Sequence, residues 1–365
     1  MGMISPEASY IMKCTGERGT FPMKARLGLI VLLAAAFGWL GSLTGAVPEI
    51  ALADAPAETP AAAGIAAAET PAPEIPAAEA ESAPAVAGPE AVETEPEEAA
   101  EETAQPASTP KAELRSATIP SDGMNNFTSY SVDPDALRAE GCSLTLPAEG
   151  PQILILHSHS CEAYTMEPGA VYEPSGDWRT TDAQQSVIAV GEALKAALER
   201  YGGLRVLHDT ELYDWPSYSS AYARSSEAIE AYLQTYPDLA MVIDLHRDAI
   251  GDEETIYKTV ADTDGQPMAQ LMFVVGTDQN LPHPNWRENL KLALTLQQAA
   301  LSRCETLMRP IDLSSCRYNQ QLTPGSLILE AGTCGNTLSE AVAAVECFAE
   351  AAGPVLAAMV EGDAA

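Results

Sequence analysis

Two short apolar segments of the chain each run directly into histidine and carboxylate residues. The first reads Ile153-Leu-Ile-Leu-His-Ser-His-Ser-Cys-Glu162, and the second reads Met241-Val-Ile-Asp-Leu-His-Arg-Asp248. Continuous runs of Ile, Val and Leu are typical of strands buried on both faces, as in parallel sheets covered by helices. The carboxyl ends of such strands line the ligand-binding edge of open α/β folds. These segments therefore predict an α/β domain with its site at that edge.

The chain beyond about residue 150 alternates between strand-like and helix-like patterns. The predicted strands are Gln152–Leu156, Leu204–His208, Ala240–Leu245, Leu271–Val275 and Ser326–Glu330, and the predicted helices are Ala183–Tyr201, Ala221–Thr235, Asn285–Arg303 and Leu338–Val360. This order implies parallel neighbouring strands joined by right-handed crossovers. We therefore expect a layered α/β domain with a mostly parallel central sheet flanked by helices.

An uninterrupted apolar stretch without charged residues spans Leu27–Val47. At about 1.5 Å per residue it is long enough to cross a hydrocarbon core of about 30 Å as one transmembrane helix. Basic residues lie in the preceding segment 1–26, and no Lys or Arg follows the stretch until Lys111, so the positive-inside bias places everything downstream outside the cytoplasm. The alternative is a cleaved secretory signal, since Ala51-Leu-Ala53 resembles a cleavage site, but the length of the stretch favours a retained membrane anchor.

Residues 48–118 are rich in Ala, Pro, Glu and Thr and contain almost no aromatic side chains. Such a composition cannot bury enough apolar surface to offset the conformational entropy of folding. Its prolines and like-charged glutamates favour extended conformations, so we expect a disordered tether. The part of the chain able to fold is then an extracytoplasmic domain over 119–365.

The chain carries a formal net charge of -33, and acidic residues also outnumber basic ones within 119–365. This excess argues against nucleic acid or an anionic lipid surface as a partner of that domain. The cysteines of the domain form no C-x-x-C pair and no zinc-finger spacing. They are therefore expected to be either small buried residues or partners in disulfides.

The chain has five histidines, and three of them, His157, His159 and His246, lie at the two strand ends. Neutral imidazole is a common zinc ligand, and catalytic zinc takes three protein ligands and keeps one position for water. The position of the strand end favours His159 as a ligand over His157, which would then support the site or bind substrate. Glu162 follows closely enough to reach the same cleft. A zinc hydrolase is the first hypothesis.

A further apolar strand ends in Glu330 and a glycine-rich turn that contains Asn336. A carboxylate at that place suits a general base that takes the proton of an attacking water. Thr337 and Glu340 make a capping-box pattern for the last helix, and Asn336 is a second N-cap candidate. A lone histidine at a strand end is more often structural, yet three polar clusters at one predicted sheet edge favour a hydrolytic or metal site. A serine hydrolase is the competing chemistry, but no G-x-S-x-G motif occurs.

Nine strings of the sequence carry a resemblance to a known family. They are H-S-H-S-x-E-A-Y at His157–Tyr164, R-T-T-D at Arg179–Asp182, H-D-T-x-x-x-D at His208–Asp214, S-Y-x-x-x-Y-x-R-S at Ser217–Ser225, D-L-H-R-D-A at Asp244–Ala249, V-V-G-T at Val274–Thr277, H-P-N-W at His283–Trp286, R-P-I at Arg309–Ile311 and Y-N-Q at Tyr318–Gln320. In this order over about 150–350, they closely resemble the stage II sporulation protein P family. The resemblance implies a membrane-anchored peptidoglycan hydrolase of the sporulation septum, with amidase and endopeptidase activity during engulfment.

The resemblance also implies partners, a fold and a set of ligands. The partners are the stage II sporulation protein D, a lytic transglycosylase, and other septal engulfment proteins. The fold would be similar to that of zinc-dependent N-acetylmuramoyl-L-alanine amidases, whose zinc is bound by His, Glu and His. By motif, His159 or His157 would be the first ligand and His246 the last, with Glu330 as the catalytic carboxylate. The middle acidic ligand would be Glu162 or Asp182, which stands just before a helix.

Two positions depart from the family pattern. Ser186 stands where the resemblance leads us to expect Asn, and Cys161 lies inside the first motif, where its thiol could compete for zinc. Neither departure removes the candidate ligands.

Substrate recognition is expected to use side chains that pair with carboxylates of acidic peptide stems. The candidates for this pairing are Arg247 and Arg224, although Arg247 can equally pair with Asp244 or Asp248. Asn336 is a further candidate for binding substrate. The alternative to a hydrolase is a non-catalytic cell-wall-binding or scaffold protein that holds peptide in the same cleft without metal.

Overall fold

The structure is a computed structural model that describes residues 112–121, 123–252, 254–262, 265 and 267–362. These residues belong to one compact unit. The predicted transmembrane segment 27–47 and most of the predicted linker lie outside the described residues, so both stay predictions. Among the residues that are described, no helix is long and apolar enough to cross a membrane.

Ten strands and five α-helices make up the described unit. The strands are β1 (Glu113–Ala117), β2 (Met124–Asn126), β3 (Ile153–Leu156), β4 (Val206–His208), β5 (Met241–Asp248), β6 (Thr255–Ala261), β7 (Met268–Ala269), β8 (Leu271–Gly276), β9 (Ile311–Ser314) and β10 (Gly325–Thr333). The helices are α1 (Pro134–Glu140), α2 (Val187–Gly202), α3 (Ala221–Thr235), α4 (Trp286–Arg303) and α5 (Leu338–Ala357). Strand β1 falls inside the segment predicted as linker over 48–118, so the folded part begins earlier than expected.

The central sheet has seven strands in the order β2-β9-β8-β10-β5-β3-β4. Neighbouring strands are parallel throughout except for the antiparallel pair of β8 and β10. The predicted α/β class with a mostly parallel sheet is therefore confirmed, although the sheet is mixed. A second sheet contains β1, β6 and β7, with β6 in the middle.

Helix α2 follows the predicted pattern of apolar side chains. Val187, Val190, Leu194 and Leu198 are all fully buried. Its first turn is capped by Ser186, whose side chain accepts a hydrogen bond from the Ile188 backbone N–H. The predicted capping box of α5 is also present, with Thr337 and Glu340 bonding reciprocally.

The two faces of the central sheet carry different layers. One face packs on α2, α4 and α5 in the main core, which includes Ile243 and Leu245 of β5. The other face packs on α3, where Leu154 and Val242 contact a cluster that contains Ile229. Because side chains alternate along a strand, the polar residues two and four places beyond Val242 also face the α3 side. That face carries the candidate site.

Five cysteines of the described unit carry free thiols, namely Cys142, Cys161, Cys304, Cys334 and Cys347. Two of them, Cys161 and Cys334, are buried. The expectation of small buried residues therefore describes these two, and the remaining three are partly exposed.

Candidate metal and catalytic site

Four predicted residues lie together on the α3 face of the central sheet. Strand β5 continues past its predicted end at Leu245 to Asp248, so His246 sits within the strand and pairs in register with Glu330 of β10. The ring centroids of His159 and His246 are 5.3 Å apart, and Glu162 Oε2 lies 3.4 Å from His246 Nδ1. All four side chains belong to buried residues, although they are polar.

The pairing of β10 with β5 changes register directly beyond Glu330. The pairing of β10 with β5 shifts between Glu330 and Thr333, and Gly332 in between has a φ of +72°. A Cβ at Gly332 would lie 2.9 Å from both Ala269 Cβ and Asn336 Oδ1, so the close approach and the left-handed backbone both favour glycine. The regular pairing of β10 with β5 therefore ends at Glu330, just before the glycine-rich segment.

His157 and His159 diverge because the chain leaves β3 at Leu156 and enters a turn. His157 lies on the α2 side, where its Nδ1 is 2.8 Å from Leu245 O and its Nε2 is 3.0 Å from His208 Nε2. Burial and the neighbouring His208 lower the pKa of His157 to about 3. His159 lies beside His246 instead, so the structure separates the two candidates that the sequence left open.

Each imidazole of the cluster has a buried carboxylate behind it. Asp244 Oδ1 lies 2.8 Å from His246 Nε2, although the ring nitrogen is not aligned for a hydrogen bond. Asp244 is itself held by the backbone N–H and the hydroxyl of Ser158. Asp214 Oδ2 lies 3.7 Å from His159 Nδ1, which makes no hydrogen bond. Sequence reasoning gave neither aspartate a role in the site.

Neighbouring charges shift the pKa values of Glu162 and His246 so that the charged form of each is favoured. Burial alone would raise the pKa of Glu162, but Arg247 and His246 hold the pKa well below its usual range. Burial alone would lower the pKa of His246, but Asp244 and Glu162 raise the pKa well above its usual value. Burial lowers the pKa of His159. The two carboxylates thus favour the charged form of His246, whereas burial favours the neutral form of His159.

The donor atoms of the cluster fit zinc in type. Two imidazoles and one carboxylate form a known catalytic zinc set that leaves one position open. The nitrogens His246 Nε2 and His159 Nδ1 face Asp244 and Asp214, so His246 Nδ1 and His159 Nε2 are the ring nitrogens that could bind a metal together with Glu162. Within the described ranges, no three His, Cys, Asp or Glu side chains already have the spacing of a metal site. Binding would therefore draw these side chains closer together.

The other candidate acidic ligand, Asp182, lies elsewhere. It is exposed, and its side chain accepts a hydrogen bond from the Gln184 backbone N–H in the turn before α2. The thiol of Cys161 is buried, and burial together with Asp214 raises its pKa to about 12. A thiol of that pKa stays protonated near neutral pH and is a poor metal ligand.

The three predicted substrate-binding residues mainly bond to the protein itself. Arg247 donates to the carbonyls of Ala163 and Trp178, and Arg224 donates to those of Trp215 and Ser217. The side chain of Asn336 bonds to residues on both sides of the turn after β10, namely Thr259, Thr333 and Glu340. All three thereby shape the loops around the cluster.

Comparison with known families identifies one family model. It is described as stage II sporulation protein P (SpoIIP) and matches residues 56–353. A curated relative, the stage II sporulation protein P of Bacillus subtilis (strain 168), is 26% identical over 212 residues, which cover 54% of this chain and 50% of the relative. The chain thus matches about half the length of that relative.

Comparison with solved structures identifies cell-wall amidases. The N-acetylmuramoyl-L-alanine amidase from Clostridium difficile 630 is 12% identical with a TM-score of 0.32, over 57% of this chain and 96% of the amidase. The amidase AmiC2 of Nostoc punctiforme is 12% identical with a TM-score of 0.32, over 57% and 97%. The CwlD amidase from Clostridioides difficile, solved with the GerS lipoprotein, is 15% identical with a TM-score of 0.34, over 55% and 93%. At these scores we draw no conclusion about function from the likeness.

Proposed function

The chain belongs to the stage II sporulation protein P family, and from this premise we propose that it is a zinc-dependent peptidoglycan hydrolase of sporulation. The bond cleaved is the amide between N-acetylmuramic acid and L-alanine. The observation that carries the proposal is the buried group of His159, Glu162 and His246, with Glu330 in register beside His246. These are the residue types that hydrolysis of an amide by zinc requires.

The roles of the residues follow from their chemistry. When bound, zinc polarises the amide carbonyl and lowers the pKa of its water toward about 7. His159, Glu162 and His246 would hold the ion, while Asp244 and Asp214 orient the two imidazoles. Glu330 accepts the proton of the attacking water and donates it to the leaving nitrogen. Because the cluster is buried, bulk water is largely kept from these groups, which strengthens their electrostatic interactions.

The setting of this activity is part of the same proposal. The segment 27–47 anchors the protein in the cell membrane, and 48–111 tethers the folded unit outside it at the sporulation septum. The stage II sporulation protein D and other engulfment proteins are the proposed partners, and cleavage of peptide cross-links is a proposed second activity. Family membership and sequence composition support these points.

A non-catalytic wall-binding or scaffold protein is the second candidate. It is favoured by the contacts of His246 with Asp244 and Glu162, in which a protonated imidazole would offset part of the carboxylate charge without a metal. Such a protein would bind peptidoglycan fragments and release nothing from them.

The test uses the full-length protein in detergent, as wild type, His246→Ala and His283→Ala. His283 is an equally buried histidine before α4, away from the cluster, and serves as the control. We expect zinc in the wild type and the control but not in His246→Ala. Purified peptidoglycan treated with the wild type should yield stem peptides with a free L-alanine amino group, identified by mass spectrometry.

Each outcome separates the two candidates. Cleavage without bound metal would contradict the zinc part of the proposal. Binding of peptidoglycan fragments by a zinc-free wild type that releases no peptide would favour the scaffold.

A further inference from the structure

Tyr218 covers one face of the His159 imidazole. It begins a short 3-10 turn, Tyr218–Ser220, and its ring is parallel to that of His159, with 4.3 Å between centroids and 3° between planes. Tyr218 is 50% exposed, whereas His159 is 5% exposed. The tyrosine ring therefore separates the imidazole from solvent.

A second contact holds the edge of the same imidazole. Asp214 Oδ2 faces His159 Nδ1 at 3.7 Å, and Asp214 Oδ1 accepts a hydrogen bond from the Cys161 backbone N–H. The other carboxylate oxygen, Oδ2, also contacts Arg179, so both oxygens of Asp214 are held by the protein beside the ring.

Arg179 joins these two contacts. Its guanidinium lies 5.1 Å from the centroid of the Tyr218 ring and also forms an ion pair with Asp214. One cation thus contacts both the anion at the edge of His159 and the aromatic ring on its face. Arg179, Asp214 and Tyr218 had no assigned role, and each comes from a different one of the strings that carry the family resemblance, those ending at Asp182, Asp214 and Ser225.

The backbone that presents these side chains is tied down on both sides. The carbonyls of Trp215 and Ser217 accept hydrogen bonds from Arg224 of α3. The Tyr213 backbone N–H donates to the Ser160 hydroxyl, next to His159 in the chain. A loop held at both ends can fix a side chain that it presents.

We propose that Asp214, Arg179 and Tyr218 form a positioning clamp for His159, with Tyr218 as its outer wall. The clamp fixes the plane of the imidazole, directs Nδ1 toward Asp214, and leaves Nε2 to bind the metal. Its role toward the metal rests on the proposed function, whereas its shielding of His159 does not. Because half of Tyr218 is exposed, removing its ring empties little of the core.

The experiment compares three variants of the full-length protein. Tyr218→Ala removes the ring, Tyr218→Phe keeps the ring without the hydroxyl, and Trp215→Ala is the matched control. Trp215 lies three residues away in the same loop and is 47% exposed. Melting temperature is measured for each variant to verify folding.

The first readout needs no metal. The proteins are stripped of metal with a chelator and treated with diethylpyrocarbonate near pH 7, and carbethoxylation of His159 is quantified by peptide mass spectrometry. We expect His159 to react several-fold faster in Tyr218→Ala and at the wild-type rate in Tyr218→Phe and Trp215→Ala. The second readout is zinc affinity by competition with a chromophoric chelator, which should fall by roughly 10-fold or more in Tyr218→Ala alone, as for the loss of an orienting partner.

Two results would overturn the clamp. One is a Tyr218→Ala protein whose His159 reacts at the wild-type rate, and the other is a Trp215→Ala protein with the same acceleration. A wild type without zinc affinity would refute the proposed function instead, and the reaction rates of the metal-free proteins would still decide the clamp.

Discussion

Two pairs of histidines lie on opposite faces of the central sheet, and their surroundings differ. On the α2 side, His157 and His208 face each other through their Nε2 atoms, and the second nitrogen of His157 is bonded to a backbone carbonyl. On the α3 side, His159 and His246 face carboxylates, and Nδ1 of His159 makes no hydrogen bond. The ring nitrogens of His157 are thus bonded within the protein, whereas the second pair keeps ring nitrogens that make no hydrogen bond.

The first pair is also packed tightly against a helix. A Cβ at Gly191 of α2 would lie 2.6 Å from His157 Nε2 and 2.7 Å from His208 Nε2. The helix backbone therefore packs directly on the first pair and leaves no room for an ion. Burial of histidine is thus a weak sign of a metal site, whereas histidine backed by buried carboxylates is a stronger one, since the only carboxylate beside His208 in the described residues, that of Glu192, is exposed.

The largest effect is expected for Glu330 on the α3 side of the sheet, and Glu192 on the α2 side is its control. Glu330→Gln should lower peptidoglycan cleavage by about 10²–10⁴-fold, because it removes a general base while keeping its volume. Glu192→Gln, at the exposed partner of His208, should leave cleavage unchanged. Muropeptide release, zinc content and melting temperature are measured on the same preparations. Full activity in a folded, zinc-loaded Glu330→Gln protein would remove Glu330 from the mechanism.

The next prediction exchanges one histidine from each pair for alanine. His159→Ala should lower zinc affinity by more than about 100-fold, because losing a ligand exceeds the effect of losing an orienting partner. His157→Ala should keep zinc but lower the free energy of unfolding by about 1–3 kcal/mol, because it leaves buried polar partners unsatisfied. Chelator competition and urea unfolding provide the two measurements. The reverse pattern would mean that His157 is the ligand.

A third prediction tests the middle acidic ligand. Glu162→Gln should weaken zinc binding by at least about 10-fold, since it removes the carboxylate charge beside His246. Asp182→Asn should leave zinc affinity within about two-fold, since Asp182 is exposed and bonds only locally in what the structure describes. Metal titration of both variants separates them. A larger loss in Asp182→Asn would reassign the ligand.

The smallest effect on zinc binding and cleavage is expected where α2 packs on His157 and His208. Gly191→Ala should lower the free energy of unfolding by about 1–3 kcal/mol, because the new methyl group meets both imidazoles. Zinc affinity and cleavage should not change. A stable Gly191→Ala protein would show that this side of the sheet adjusts more easily than its packing indicates.

The pattern of the sequence predicted the buried elements well and the exposed ones poorly. Helix α3 has the predicted bounds, and β8 and β10 contain the predicted strands. Strands β1 and β6 were not predicted, because β1 is mostly exposed and lies in a segment whose overall composition indicates a linker. Strand β1 pairs with β6, and β6 also pairs with β7, which no local pattern encodes.

Some residues of the candidate site were predicted from the sequence, and others were not. His159, Glu162, His246 and Glu330 follow apolar strands, so their positions along the chain indicated their position in space. Asp214 and Tyr218 come from a loop whose approach to His159 depends on tertiary contacts such as the Arg224 bonds. Asp182 does lie before a helix, as expected, but it is exposed and does not join the cluster. Its position depends on the path of the turn before α2, which the sequence pattern does not predict.

The pairing of β1 with β6 determines where mechanical load would enter the folded unit. Strand β1 is the first described element, and it pairs with β6 in parallel register from Glu113 to Ala117. Tension on the chain before residue 112 would therefore act first on this ladder and shear it along the strand direction. The seven-stranded sheet that holds the candidate site lies further along the chain. A pull on the chain ahead of β1 would therefore detach this edge strand before it distorted the candidate site.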